Sequence, residues 1–128
     1  MRQSSYSIGT SQKDIRALAG EHYVNVNIKA TKSDLTGALV NGILEAGNLI
    51  TADGKVATTT GTVEGTPAST TAYGVLFVDV DFNNSKGTEI LPVCIHGFLK
   101  ESAVKFSADT VVDGKKAEKA ALNMIKFL

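Results

Sequence analysis

The fold of this chain is decided by residues 72–82, which read AYGVLFVDVDF. In an extended strand, successive side chains point to opposite faces. The face that is apolar throughout carries Leu76, Val78, Val80 and Phe82. The other face is apolar at its start and acidic at Asp79 and Asp81. A strand that is apolar on both faces at one end and on one face at the other is predicted to run from the core to the surface.

A second apolar run follows at residues 89–99, which read EILPVCIHGFL. Between the two runs, residues 83–87 read NNSKG, which is turn chemistry throughout. Two extended runs joined by such a linker predict a β-hairpin with a longer loop. This hairpin is the predicted nucleus of the fold.

The remainder of the chain predicts a mainly β protein. A half-buried strand is predicted over residues 21–30, with three apolar side chains on its inward face, Val24, Val26 and Ile28. Two short strands are predicted within residues 39–50, followed by a tight turn at Asp53-Gly54. Residues 58–71 are rich in Thr, Gly and Ser, and predict an exposed loop or a long twisted edge.

One helix is predicted near the C-terminus, over residues 115–123, where strong helix formers are concentrated. Its apolar face is predicted to combine Ala117, Ala120 and Ala121 with Met124. Residues 124–128 return to alternation and predict a final short strand. Just before the helix, Val104 and Phe106 are predicted to form a short strand or to anchor a loop.

The first 20 residues differ from the rest, because residues 4–12 are polar and contain only isolated apolar side chains. Residues 14–20 are compatible with one or two helical turns. One interpretation is a frayed terminus. The other is an arm that becomes ordered on a partner, with four anchors, Tyr6, Ile8, Ile15 and Leu18. The chain is thus divided into an N-terminal arm, residues 1–20, and a single β domain, residues 21–128.

Charge and cysteine content narrow the function classes. Lys plus Arg and Asp plus Glu both number 13, so the basic excess typical of nucleic-acid binders is missing, and no charge-driven membrane contact is expected. No apolar run is long enough to span a bilayer, and no signal-peptide pattern is present. Cys94 is the single cysteine, which excludes an intrachain disulfide and favours a reducing compartment.

Few residues suggest chemistry. Cys94 and His96 alternate, so one strand face could begin a metal site, although a core cysteine beside a hydrogen-bonded histidine is the commoner outcome. Asp79 and Asp81 also alternate, with Cα atoms roughly 6.8 Å apart, a spacing that would suit paired carboxylates. His22 is the only other histidine. No nucleophile, base and orienting group can be assembled from these residues, so neither an enzyme, a cofactor nor a metal site is predicted.

Several motifs together carry a family resemblance. They are ILEAGNLI at residues 43–50, followed by DGK at 53–55, then AYGVL at 72–76, DVD at 79–81, and VCIHGFL at 93–99. This order of turn glycines and core positions, ending in a short helix and a last strand, resembles the head decoration proteins of tailed bacteriophages, the lambda D-like group. The resemblance covers residues 40–128. The longer N-terminal segment and the strand at 21–30 depart from it.

The resemblance implies a small β-barrel or β-tulip-like domain with one short C-terminal helix and an extended N-terminal arm. It implies a virion protein, assembled in the host cytoplasm, that binds the outer surface of an icosahedral head and cements major capsid protein subunits. Such proteins commonly form homotrimers, and monomers are the alternative. A different class left open is a small β-barrel module that binds a carbohydrate or peptide, with Asp79, Asp81 and His96 near its mouth.

Overall fold

A computed structural model describes residues 14–18 and 22–128, and it confirms a mainly β fold with one helix near the C-terminus. The helix α1 spans Gly114–Ala121, and two short 3₁₀ turns span Lys32–Asp34 and Glu101–Ala103. The strands are β1 (Tyr23–Thr31), β2 (Ile43–Leu44), β3 (Leu49–Ile50), β4 (Thr59–Thr60), β5 (Ser69–Thr70), β6 (Gly74–Leu76), β7 (Val80–Asp81), β8 (Thr88–Leu99) and β9 (Ile125–Phe127).

The main sheet is organised around β8, the longest strand. Its strand order is β1-β8-β6-β3, and the short β9 lies parallel to the end of β8. All the other pairs in this sheet are antiparallel. The two remaining pairs, β2 with β7 and β4 with β5, form separate two-stranded sheets. Strands β6 and β9 therefore pair with the same edge of β8, at different positions along its length.

Both faces of this sheet are buried at β6, as residues 72–77 predicted. Neighbouring residues on β6, Val75 and Leu76, are both fully buried but belong to different hydrophobic clusters. The first core contains nine buried residues, Ile15, Ala46, Leu49, Val75, Cys94, Leu99, Val104, Leu122 and Ile125. The second core contains Ile28, Ala30, Leu35, Leu44, Ile50, Leu76, Phe82, Leu91 and Val93. This single sheet thus separates two apolar layers.

The predicted hairpin forms only in part. Val75 lies opposite Cys94 and Leu76 opposite Val93. The last bond of the pair runs from the Phe77 N–H to the carbonyl of Pro92, at 2.9 Å. Proline has no N–H to return the second bond, so the ladder weakens here. The chain then leaves β8, and β7 pairs with β2 instead.

Strand β1 is confirmed, but its first inward residue differs from the prediction. The register against β8 shifts between Val24 and Asn25, which leaves Ile95 without an opposite residue on β1. A β-bulge of this kind reorients the neighbouring side chains. Ile28 is buried as predicted, whereas Val24 is 50% exposed.

The sheet curves so that the turn after β3, at one edge, approaches β1, at the other edge, but the sheet does not close. The predicted turn at Asp53-Gly54 is present, and the Thr51 N–H donates to the Lys55 carbonyl at 2.8 Å. Gly54, at φ +87°, lies against β1, because an added Cβ would stand 2.3 Å from the Lys29 carbonyl oxygen. No strand pairing joins this turn to β1 within the described residues, so the sheet forms no closed barrel there.

The Thr-rich tract and the helix pack against each other. Residues 58–71 contain the short β4–β5 hairpin, whose facing hydroxyls lie close together, with 2.8 Å between Thr59 Oγ1 and Thr70 Oγ1. Helix α1 confirms the predicted helix, but the predicted apolar face is wrong. Its buried residues are Gly114 and Glu118, and Leu122 continues the same stripe, whereas Met124 is 61% exposed.

Candidate functional site

The two carboxylates on the predicted acidic face bind neighbouring chain segments. Asp79 Oδ1 accepts a hydrogen bond from the Ala46 N–H at 2.7 Å, which ties the turn before β3 to the link between β6 and β7. Asp81 Oδ1 accepts from the backbone N–H and the side-chain amide of Asn83, at 2.8 and 2.9 Å. Both carboxylates therefore serve to fix turns.

Cys94 and His96 do not share one strand face, and that prediction is wrong. The bulge at Ile95 lies between them. Cys94 is fully buried in the first core and its Sγ donates to the His96 carbonyl at 3.4 Å, whereas the His96 side chain is exposed. Burial raises the pKa of the Cys94 thiol, against a smaller opposing effect of the hydrogen bond to His96.

The three residues of the alternative ligand site also lie apart: Asp79 is in the link between β6 and β7, Asp81 is on β7, and His96 is on β8. Leu76 lies opposite Val93 in an antiparallel pair. Asp79 follows Leu76 and His96 follows Val93, so the two residues lie in opposite directions from this pair. The exposed His22 immediately precedes β1. Within residues 14–18 and 22–128, no group of three or more His, Cys, Asp or Glu residues is placed to hold a metal ion.

Residues 14–18 contain no helical turn, contrary to the prediction for this part of the N-terminal segment; Arg16 forms an isolated bridge and Ala17 and Leu18 form a bend. The Ala17 N–H donates to the Phe98 carbonyl at 3.0 Å, and the Ile15 carbonyl accepts from the Lys100 N–H at 2.8 Å. The segment therefore continues the sheet beside the end of β8.

The four predicted partner contacts have different positions. Ile15 is 1% exposed and packs in the first core, so its side chain fixes the segment to the domain and is withheld from any partner surface. Leu18 is 47% exposed. Tyr6 and Ile8 lie outside the described residues. Contact of the latter three with a capsid stays a prediction.

A local ion pair stiffens this segment. The Arg16 guanidinium donates from Nε to Asp14 Oδ1 at 3.0 Å and from a terminal nitrogen to Oδ2 at 2.9 Å, an arrangement that engages both carboxylate oxygens. The Arg16 backbone N–H also donates to Asp14 Oδ1. These bonds lower the pKa of Asp14 from 3.8 to about 2, chiefly through the side-chain bond of Arg16.

An apolar surface surrounds Met124, where β6 and β9 flank β8 with a gap between them. A hollow of about 260 Å³ on one side of Met124 is lined by Tyr73, Ile95 and Leu122. A second hollow, of about 310 Å³, lies on the other side and is lined by His96, Phe98 and Lys126. We call these residues, together with the adjacent Val24 opposite His96, the Met124 surface.

A buried carboxylate on α1 was missed at the sequence level. Glu118 is 3% exposed and accepts three hydrogen bonds. They come from the Thr59 hydroxyl at 2.6 Å, the Ser107 N–H at 2.8 Å and the Ser107 hydroxyl at 2.7 Å. Glu118 thereby joins the helix, the Thr-rich hairpin and the preceding loop. The stripe Gly114, Glu118 and Leu122, at spacings of four, was the available signal.

Comparison with known proteins gave no match to a family model, a curated protein or a solved structure. In the described part of the chain, no helix combines the length and apolar character needed to cross a membrane.

Proposed function

We propose that this chain is a structural virion protein that binds the outer surface of an icosahedral phage head and cements its major capsid protein subunits. The observation that carries the proposal is the attachment of the N-terminal segment to the central strand. Ile15 packs in the first core, and two backbone bonds join the segment to the end of β8. Any chain that precedes Asp14 is thus fastened to the strand that organises the whole sheet.

The geometry gives this attachment a direction. Arg16 pairs antiparallel with Leu99, so the described segment, followed from Arg16 back to Asp14, is directed beyond the end of β8. Residues 1–13 could span about 43 Å if fully extended. In an extended conformation Tyr6 and Ile8 lie on the same face, and their backbone can add a strand to a partner sheet. Many such contacts repeated over a shell would hold it together without one strong site.

The mainly β fold with one helix near the C-terminus agrees with what the resemblance to head decoration proteins implies. Because Ile15 is part of the core, the proposed shell contacts belong to residues 1–13 and to the exposed Leu18.

The test is co-sedimentation of the purified protein with undecorated phage heads, comparing the full chain with a variant that lacks residues 1–13. We expect saturable binding of the full chain at a fixed ratio to the major capsid protein, and loss of binding in the truncated variant. Its melting temperature should not change, because the deletion leaves Ile15 in place.

Matched double substitutions sharpen this test. Tyr6→Ala with Ile8→Ala should weaken binding, whereas Ser5→Ala with Ser7→Ala, which alters the other face of an extended segment, should leave it intact. Undiminished binding by the truncated variant, or equal effects of the two pairs, would contradict the proposed role of this segment. Failure of the full chain to bind any head would overturn the function itself.

A further inference from the structure

We propose that Asn41 is a site of spontaneous covalent modification, at which the backbone nitrogen of Gly42 displaces the side-chain amide, and that Asn83 controls the rate of this reaction. The inference concerns the turn before β2, which lies outside the residues proposed to contact the shell. It goes beyond the function proposed above and is tested without any phage head.

Asn41 has a neighbour that no other asparagine of this chain has. It is the only asparagine that is followed by glycine, which has no Cβ and leaves its backbone nitrogen open to approach. The exposed Asn84 is instead followed by Ser85, which carries a side chain. The Ser85 nitrogen is also held, because its N–H donates to the Phe82 carbonyl at 3.1 Å. Asparagine 41 is therefore the position best suited to attack by the next nitrogen in the chain.

Both reacting groups at this position are accessible. Asn41 and Gly42 are the two central residues of a tight turn, with φ of +53° and +79°, closed by two backbone bonds between Val40 and Ile43. The Asn41 side chain is exposed. Within the described part of the chain, neither its amide group nor the Gly42 N–H has a hydrogen-bond partner. The two groups are thus free to react with each other.

The reaction needs no co-reactant other than water. The Gly42 nitrogen loses its proton to water and attacks Cγ of Asn41. A new N–C bond closes a five-membered succinimide while the Cγ–Nδ2 bond breaks, and ammonia leaves with a proton. Water then opens the ring at one of its two carbonyls. One opening gives aspartate with a normal backbone, and the other gives isoaspartate, in which the backbone runs through the side chain and the former Asn41 carbonyl becomes a carboxylate.

The Asn83 side chain restrains the movement that ring closure requires. The peptide unit between Asn41 and Gly42 must rotate, because the Gly42 nitrogen has to turn towards the Asn41 side chain. Asn83 Nδ2 donates to the Asn41 carbonyl of this unit at 3.0 Å, and the Phe82 N–H donates to the Gly42 carbonyl at 2.8 Å. Asp81 Oδ1 holds Asn83 in place by accepting from its amide at 2.9 Å. Because exposed turns open locally, the reaction proceeds from the open state, whose population Asn83 limits.

Isoaspartate formation weakens the attachment of β2. The added methylene lengthens a two-residue turn, so the bonds between Val40 and Ile43 lose their register. Ile43 is also the residue at which β2 pairs with β7, opposite Asp81. The new carboxylate lies near that of Asp81, since the Asn41 carbonyl and Asp81 Oδ1 share the Asn83 donor, and like charges repel. Both effects destabilise the converted chain.

The experiment follows conversion at each asparagine by peptide mapping with mass spectrometry, during incubation of the folded protein at mildly alkaline pH. The test variant is Asn83→Ala, which removes the donor to the Asn41 carbonyl, and the matched control is Asn84→Ala at the adjacent exposed asparagine. We expect Asn41 to convert before any other asparagine. Its conversion should be about fivefold faster in Asn83→Ala, as the loss of one ordinary hydrogen bond raises the open population, and unchanged in Asn84→Ala.

Conversion of Asn41 no faster than that of Asn84 in the wild type would overturn the proposal. Equal rates at Asn41 in the wild type and in Asn83→Ala would overturn the control by Asn83. If Asn83→Ala folds poorly, the wild type unfolded in urea replaces it: Asn41 should then convert faster than in the folded protein, and equal rates would contradict the restraint.

A melting curve tests the consequence for β2. The isoaspartyl form, separated by ion exchange, should melt below Asn41→Asp, which adds a negative charge on a normal backbone. Equal melting temperatures of the two would contradict the effect of the added methylene.

Discussion

Replacement of Ile15 by Ala tests whether the N-terminal segment belongs to the folded domain. Ile15 is 1% exposed and packs among residues of the first core, including Leu99 and Ile125. Truncating a fully buried isoleucine to alanine typically costs about 2–5 kcal/mol, from lost transfer free energy and the cavity that remains. Domains of ordinary size have total stabilities of about 5–15 kcal/mol, so the variant should still fold.

The expected shift in melting temperature follows from chain length. At about 2.1 cal/mol/K per residue, the unfolding entropy of 128 residues is about 0.27 kcal/mol/K. A loss of about 3 kcal/mol therefore lowers the melting temperature by about 11 °C. Scanning calorimetry gives this shift, and urea unfolding gives the free energy independently.

Leu18→Ala is the matched control, because Leu18 lies on the same segment but is 47% exposed. Its change should stay within about 0.5 kcal/mol, as for most surface substitutions. If Ile15→Ala proved equally mild, the segment would not be packed as described. The reasoning that withholds Ile15 from the proposed partner contacts would then fail with it.

Three further predictions concern other parts of the domain. Gly54→Ala should destabilise the protein by about 2–4 kcal/mol, since its φ of +87° is left-handed and an added Cβ would stand 2.3 Å from a β1 carbonyl oxygen. Glu118→Gln should cost about 1–3 kcal/mol, because an amide nitrogen cannot accept the bonds that the second carboxylate oxygen receives. The lowered pKa of Asp14, about 2 against 3.8, favours the folded state above about pH 4, and this contribution is lost as the pH falls towards 2.

Each of these has its own check. Gly65→Ala, at φ +79° but with no atom within 4 Å, should cost only about 1–2 kcal/mol in the same urea titration, and equal losses at Gly54 and Gly65 would contradict the contact with β1. For Glu118→Gln, an unchanged urea midpoint would refute the three-bond description. For Asp14, which is largely exposed, the effect on stability should remain a fraction of 1 kcal/mol. Carboxyl NMR titration should show its pKa rising in Arg16→Ala, and an unaltered value would exclude the pair in solution.

Alternation with a period of two residues identified the strands in which the same face is buried along the whole strand. Val75 and Leu76 place apolar side chains on opposite faces, and the structure buries both. The predicted end of the first strand lies within one residue of its observed end, because Ile28 and the polar residues around it alternate regularly. Such patterns report burial directly, since a regular strand alternates its faces.

Pairing partners were harder to predict, because they depend on single residues that interrupt a ladder. Pro92 sits inside a run that otherwise favours one long hairpin, and its missing N–H coincides with the point where the chain departs to β7. Because of the bulge at Ile95, Cys94 and His96 do not share the strand face that the alternation predicted for both. Proline was visible in the sequence as a warning, whereas nothing in the local pattern marked the bulge.

The helix shows why composition alone misassigns a face. Alanines on α1 suggested the apolar side, but the buried position is taken by Glu118, whose carboxylate is satisfied by donors from Thr59 and Ser107. Those donors lie far away in sequence or in an irregular loop, so their convergence requires the tertiary structure. The same holds for Ile15, whose core partners are supplied by strands near the end of the chain.

The central position of β8 has a consequence for how the chain reaches its folded state. The segments that pair with β8 come from the start, the middle and the end of the sequence, so each pairing must close a long loop before it gains any contact. Topologies dominated by such distant pairings fold slowly, on the order of milliseconds to seconds. Because β9 is the last strand of this sheet in chain order, the sheet cannot be completed during synthesis until β9 has left the ribosome.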